Sequence, residues 1–395
     1  MLIKKESQSL SNYGSLICSD NCYTINSTLS ISYSLTIEKE VFKPGNDKLA
    51  NLCPSKRALI VIDKSVWDIY KDEILQYFAS HDILIDFVIM ECGEKNKSLD
   101  ATLDILNRME SFGVLRRSEP VIAIGGGVLL DVVGFASSMY RRGIPYIRVP
   151  TTLMAMIDAT LGIKTGINYL ERRNRLGAYY APHSAIIDTS FLKTVDKREI
   201  SNGAGEIFKL AVVKDAELFD LLDKHGKKLL DNKFQKNEEI VSNVINLSIK
   251  GMLDELIYNM WELELQRLVD FGHSFSPLIE MKSLPIFLHG EAVALDVVLS
   301  CAISNVRGCL SDEDLLRVIK VASDLSLPWT HPLFRDEELI YEALSDTVLH
   351  RNGSQNLPLP VTIGNSKFVN NVDKKQIKKA TQILEKLSSH HMEIY

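Results

Sequence analysis

Two rhythms of apolar and polar residues divide this chain. Between residues 58 and 188 compact apolar runs recur at 58–63 (ALIVID), 83–90, 121–124, 144–150 and 185–188, separated by amphipathic or loop-like stretches. Runs of this kind read as strands buried on both faces. Strands alternating with helices, such as one running through Phe78 and one over 99–112, predict a mostly parallel sheet covered on both sides. After Ser201 the period lengthens, and 207–222, 238–253 and 292–305 space their apolar residues for helices. The first 55 residues mix Ser, Asn and Thr with short alternating runs such as 29–37, which predicts β-ribbon or hairpin structure. The expected organisation is therefore α/β: a β-rich elaboration over 1–55, a parallel-sheet α/β domain over 56–195, and an α-helical domain over 196–395.

The sharpest local feature is VIAIGGGVLLD, residues 121–131, in which an apolar strand ends abruptly in Gly125, Gly126 and Gly127 and a helix follows with an acid at Asp131. Glycines let the backbone approach an anion, and a helix N-terminus offers free N–H groups and a positive dipole end, so a phosphate fits this turn. An ordinary tight turn between strand and helix is the structural alternative. The usual dinucleotide fingerprint GxGxxG is absent.

Composition changes the picture mainly by exclusion. With 395 residues, 46% of them hydrophobic, the chain is long enough for two domains, and its net charge of -6, with both signs interspersed, leaves no field for nucleic acid or an anionic membrane. A phosphate site must then be local. The six cysteines lack CxxC spacing, and the N-terminus lacks a basic segment followed by an apolar one, so free thiols in a reducing cytoplasm are expected. No apolar run approaches the roughly 20 residues that span a bilayer.

Candidate chemistry lies in both halves. Asp63 ends a strand, where an acid holds a ribose hydroxyl or caps the next helix. The stretch PTTLMAMIDATLGIKTGIN is rich in small and hydroxyl residues around Asp158 and Lys164, leaving room for a ligand, and RRNRLGAYY, 172–180, reads as a basic and aromatic loop. In the helical half Glu206 stands in GAGEIFK at an expected helix start, His273 in DFGHSF and His289 in LHGEAVA. One carboxylate and two imidazoles make a three-ligand set that leaves a coordination position open, as a catalytic divalent metal requires. Each residue alone is more often structural.

The succession GGGVLLDVVGF, RRG, VPTTLMAMIDATLGIKTGIN, NRLGAYY, GEIFK, DFGHSF and LHGEAVA resembles the dehydroquinate synthase family, and more closely its sugar phosphate cyclase branch acting on sedoheptulose 7-phosphate. The resemblance covers roughly residues 58–365. It implies a Rossmann-like NAD domain, a helical domain holding Zn2+ or Co2+, an active site in the cleft between them, and a homodimer. Carried over, the NAD contacts fall on Asp63, Glu94, Lys97, Gly125, Gly126, Gly127, Asp131, Thr151 and Thr152, with Asp158 and Lys164 where cofactor and substrate meet. The metal ligands fall on Glu206, His273 and His289; Lys164, Asn174 and, from a neighbouring subunit, Arg142 would bind the substrate phosphate. Lys209, one helical turn after Glu206, should face the same cleft. The implied chemistry is transient oxidation by NAD, β-elimination of phosphate, reduction and intramolecular aldol cyclisation, with NAD regenerated in each turnover.

Departures from the family pattern bear on the substrate. The lysine and arginine that hold a substrate carboxylate in dehydroquinate synthases fall on Met252 and Gln266 here, with Arg267 one residue away. A second family histidine is Pro277, an asparagine is Asp270, and a lysine pair expected near Val348 and Leu349 is missing. A cavity without these cations should reject a heptulosonate and accept sedoheptulose 7-phosphate. Asp270 resembles the 2-epi-5-epi-valiolone synthases; the alternatives are desmethyl-4-deoxygadusol or 2-epi-valiolone synthesis, then dehydroquinate synthesis, then a metal-dependent polyol dehydrogenase.

Overall fold

The computed structural model describes residues 14–392 except 20, 171 and 284, so the start of the expected N-terminal elaboration lies outside the described residues. Strands β1 (Gly14–Ser19) and β2 (Cys22–Ser27) form an antiparallel, largely exposed hairpin. The alternation at 29–37 yields β3 (Ser34–Ile37), which is no ribbon but an edge strand of the main sheet, paired in parallel with a strand 150 positions later. Alternation specifies a strand without specifying its partner. Here Tyr33 donates its hydroxyl to Leu161 O at 2.5 Å, and Ser34 Oγ meets Ser184 Oγ at 2.9 Å.

The expected α/β succession follows as β4 (Arg57–Asp63), α1 (Lys64–Ser80), β5 (Leu84–Met90), α2 (Leu99–Phe112), β6 (Val121–Gly125), α3 (Gly127–Met139) and β7 (Tyr146–Pro150). A hairpin of β8 (Lys164–Tyr169) and β9 (Arg172–Tyr179) precedes β10 (Ser184–Ile187). The six-stranded sheet has the order β3-β10-β7-β6-β4-β5, every pairing parallel. Residues 58–62 of β4 and 121–124 of β6 are wholly buried, which explains their unbroken apolar runs. The carboxyl ends of β4, β6 and β7 lie together, with Gly125 opposite Pro150, so Asp63, the three glycines, Thr151 and Thr152 share one crevice, where doubly wound sheets bind ligands.

The basic stretch 172–180, expected as a loop, is instead β9, antiparallel to β8. The signal was the alternation of Leu176, Ala178 and Tyr180, which pack with Ile167 against the cluster beneath α3. The arginines at 172, 173 and 175 fall on both faces of the strand's first half, so the period begins only at Leu176.

Helices then dominate: α4 (Lys197–Val213), α5 (Ala216–Asp231), α6 (Glu238–Leu256), α7 (Ser276–Lys282), α8 (His289–Val306), α9 (Asp312–Asp324) and α10 (Glu337–His350). A hairpin of β11 (Leu357–Thr362) and β12 (Asn365–Val369) leads to α11 (Lys374–Met392). The segment 207–222, expected as one helix, is broken because Asp215 accepts Leu218 N–H at 2.9 Å and so starts α5. One continuous apolar core joins a face of the sheet, through Ile60, Ile122, Leu153 and Ile157, to Phe208 of α4 and Val293 of α8. Among the described residues no helix is long and apolar enough to cross a membrane.

Close approach of α4 and α8 positions the site. A Cβ on Gly205 would lie 2.5 Å from Gly290 O, and one on Gly290 would overlap the carbonyl of Asn202. Asn202 Oδ1 in turn accepts Gly290 N–H at 2.7 Å, tying the start of α8 to the middle of α4. Gly205→Ala should therefore force the helices apart and destabilise the fold by about 1–3 kcal/mol, read as a lower urea midpoint. An unchanged midpoint would show that the contact has slack.

Candidate active site and metal centre

Glu206 stands in the middle of α4, and not at the helix start expected from its flanking glycines. Those glycines exist for the contact with α8 and with residues 153–154, so they bury the carboxylate instead of capping a terminus. His289 is the first residue of α8, and His273 sits in the turn before α7. Their Nε2 atoms lie 3.5 and 3.7 Å from Glu206 Oε1 and 3.2 Å from each other. Among the described residues no other group of three His, Cys, Asp or Glu side chains is arranged to hold a metal ion.

The protein backs both imidazoles. His273 Nδ1 lies 3.2 Å from Phe271 O, and His289 Nδ1 lies 3.1 Å from Glu280 Oε2, so both rings turn Nε2 toward Glu206. Buried Asp296, two turns along α8 from His289, accepts the N–H groups of Ser274, Phe275 and Ser276 with one oxygen, at 2.8, 2.6 and 2.8 Å. The loop carrying His273 is thereby fixed to the helix carrying His289.

Glu206 supplies the test of fit. Both its oxygens are sealed from solvent without a well-directed hydrogen bond, although Lys209 Nζ lies 2.5 Å from Oε2. A buried carboxylate so placed, with two imidazole Nε2 atoms facing it, suits a divalent cation. Burial pushes the Glu206 carboxyl up, but Lys209 and the two histidines hold it well below the usual range. Burial pulls His273 down to about 3. Burial also acts downward on His289, yet the facing carboxylates of Glu206 and Glu280 push it up to about 10. In Asp158, burial and then the Glu206 charge push the carboxyl up.

The crevice beside this centre gathers the residues implied for the cofactor. Gly126 is the N-cap of α3 and Gly127 its first residue, so free N–H groups face the turn. Asp63 caps α1 by accepting Ser65 N–H at 2.7 Å, the structural role that its position also allowed. Thr151 N–H bonds Gly125 O at 3.0 Å, and Thr152 packs on Gly126. Lys97 Nζ bridges Asp131 and Asn174 Oδ1, each at 2.6 Å, while Glu94 accepts Asn168 Nδ2 at 2.8 Å.

A second charged group lies at the substrate side. Lys164 reaches Glu262 at 2.9 Å. Arg267 is bonded to Glu262 by one Nη and to Asp270 by the other at 2.7 Å, and Arg351 approaches Asp270 at 3.5 Å. Despite burial, which acts upward, Lys164 and Arg267 hold Glu262 below the usual carboxylate range. Arg142 stands apart: exposed, at φ 62° after the C-terminus of α3, it is separated from the glycine turn by a helix roughly 20 Å long. Six residues of these networks escaped the sequence reading: Asn168, Glu262, Glu280, Asp296, Arg351, and Arg173, which bonds Glu280 at 2.6 Å. Their partners lie 5 to 107 positions away, so periodicity carries no trace of them.

Comparison with known proteins places this geometry in context. The family models for the 3-dehydroquinate synthase N-terminal and C-terminal regions match residues 87–202 and 203–348. A 2-epi-5-epi-valiolone synthase of Streptomyces hygroscopicus subsp. jinggangensis is 44% identical over 366 residues, covering 91% of this chain and 88% of the relative. A demethyl-4-deoxygadusol synthase of Trichormus variabilis is 33% identical over 355 residues, covering 88% and 86%. The solved structure of ValA, a 2-epi-5-epi-valiolone synthase from the same Streptomyces with NAD+ and Zn2+ bound, superposes with a TM-score of 0.87 over 92% of this chain and 99% of that one.

His273→Ala and His289→Ala should each weaken Co2+ or Zn2+ binding by more than the roughly 10–100-fold that loss of a second-shell partner costs. The check is competition with a chromophoric chelator, with circular dichroism as the fold control. Undiminished binding in either variant would remove that residue from the ligand set.

Proposed function

The chain belongs to the 3-dehydroquinate synthase family, and on that premise we propose that it is a phosphate-eliminating sugar phosphate cyclase, converting sedoheptulose 7-phosphate to 2-epi-5-epi-valiolone. Its cofactors are NAD and a divalent metal, Zn2+ or Co2+, and its class is carbon–oxygen lyase. When bound, NAD supplies reversible hydride transfer and the metal supplies Lewis acidity toward the substrate hydroxyls.

The chain's own residues frame that chemistry. Glu206, His273 and His289 would hold the metal, and Lys209, pinned between Glu206 and Val269 O, balances the buried charge. Asp63, Glu94, Lys97, Asp131, Thr151, Thr152 and the N–H groups at the start of α3 would hold the cofactor. Lys164 and Asn174 would orient the phosphate, and through Lys97 the Asn174 amide is tied to the cofactor side. Asp158, with its carboxyl pushed up by burial and by Glu206, is suited to holding or accepting a proton beside the reacting carbons. Arg142, exposed on a left-handed turn, would complete the phosphate site of a partner in a homodimer.

One observation carries the choice of substrate. Arg267, one residue after Gln266, has its guanidinium committed to Glu262 and Asp270. Met252 is buried and apolar, and Gln266 is exposed. A substrate carboxylate would meet Asp270 and Glu262 without a free cation, a cost of several kcal/mol. A neutral hydroxymethyl end carries no such penalty. The ratio of kcat/KM for sedoheptulose 7-phosphate over the heptulosonate of dehydroquinate synthases should be at least roughly 100, about 2.7 kcal/mol. A ratio near one, or in favour of the heptulosonate, would overturn this assignment.

A further inference from the structure

One ionic chain crosses the molecule beside the metal centre without belonging to its ligand set. Glu280, on α7, has a side chain only 3% exposed. Its Oε1 accepts Arg173 Nη1 at 2.6 Å, and its Oε2 lies 3.1 Å from His289 Nδ1. Arg173 comes from β9, in the sheet-bearing half, and its Nε lies 3.2 Å from Glu94 Oε1. That last contact is electrostatic, because the Nε–H is poorly directed. Glu94 is itself bonded to Asn168, whose backbone N–H bonds Lys97 O at 2.9 Å.

From this geometry we infer that Glu280 and Arg173 are positioning residues for the metal: Glu280 fixes the His289 ring with Nδ1–H outward and Nε2 toward Glu206, and Arg173 holds Glu280 from across the cleft. The inference rests on the metal reading given above. A carboxylate this buried must be paired, and its two oxygens meet Arg173 and His289. A carboxylate behind a ligating imidazole fixes its tautomer and raises its donor strength. Arg173 adds what a partner on the helical side would not: a ligand in one half is oriented from the other, where the cofactor residues lie. Disturbing Arg173 should thus reach the metal only through Glu280.

The test uses the full chain stripped of metal, without NAD+ or substrate, and reads Zn2+ affinity by chelator competition together with the Co2+ absorption spectrum. Glu280→Gln should weaken Zn2+ binding about 10–100-fold and alter the Co2+ bands. Arg173→Gln should weaken it by a smaller factor, Arg173→Lys should restore it to within about threefold of wild type, and the double variant should be no weaker than Glu280→Gln alone. Equal metal-free melting temperatures establish that the variants are folded; should Glu280→Gln not fold, Arg173→Gln against Arg173→Lys decides. Wild-type affinity in Arg173→Gln, or losses that add in full in the double variant, would overturn the inference. A wild-type chain that binds no Zn2+ would overturn the metal centre, and this inference with it.

Discussion

A carboxylate buried among like and unlike charges is the constraint around which this molecule is arranged. Glu206 is 1% exposed, and transferring its charge from water costs several kcal/mol unless partners replace the lost solvation. Lys209 offsets part of that cost at 2.5 Å, and His289 and His273 face the other oxygen. Lys209 lies on α4 itself, but the two histidines come from elsewhere in the chain, so the full set is complete only when α4, the loop before α7 and the start of α8 are assembled.

The rest of the fold can be understood as what makes that assembly rigid. Helix α4 approaches α8 closely because Gly205 and Gly290 carry no side chains at the contact. Asp296 then gathers three N–H groups beside His273 into one carboxylate, so neither imidazole moves without the other's helix. On the sheet side, fully buried Arg148 donates to the carbonyls of Ala159, Thr160 and Gly162 and holds the segment between Asp158 and Lys164. Asp158 and Lys164 are thus carried on a segment whose backbone is fixed from within the core.

Much of this is legible in the sequence, for reasons that also mark where reading stops. The strands over 58–63 and 121–124 announce themselves because both faces are buried, and the helix over 99–112 has the limits its capping Ser98 and terminal Gly113 set. The strand at 172–179 hides because its first half, Arg172 to Arg175, is polar on both faces. Glu206 reads as a terminal residue because glycine ordinarily marks helix ends, whereas here it marks helix contact. The candidate metal ligands Glu206, His273 and His289 are visible as residue types in motifs. Glu280, Arg173 and Glu262 are not, since each acts through a partner that only the folded chain brings near.

The central claim is that these residues serve a closed redox cycle ending in a carbocycle. The direct measurement is NMR of the product formed from sedoheptulose 7-phosphate by metal-loaded protein with a catalytic amount of NAD+, alongside phosphate release and absorbance of free NADH. The account predicts 2-epi-5-epi-valiolone with one phosphate released per product and no accumulating NADH. An acyclic oxidised sugar formed with stoichiometric NADH would contradict it.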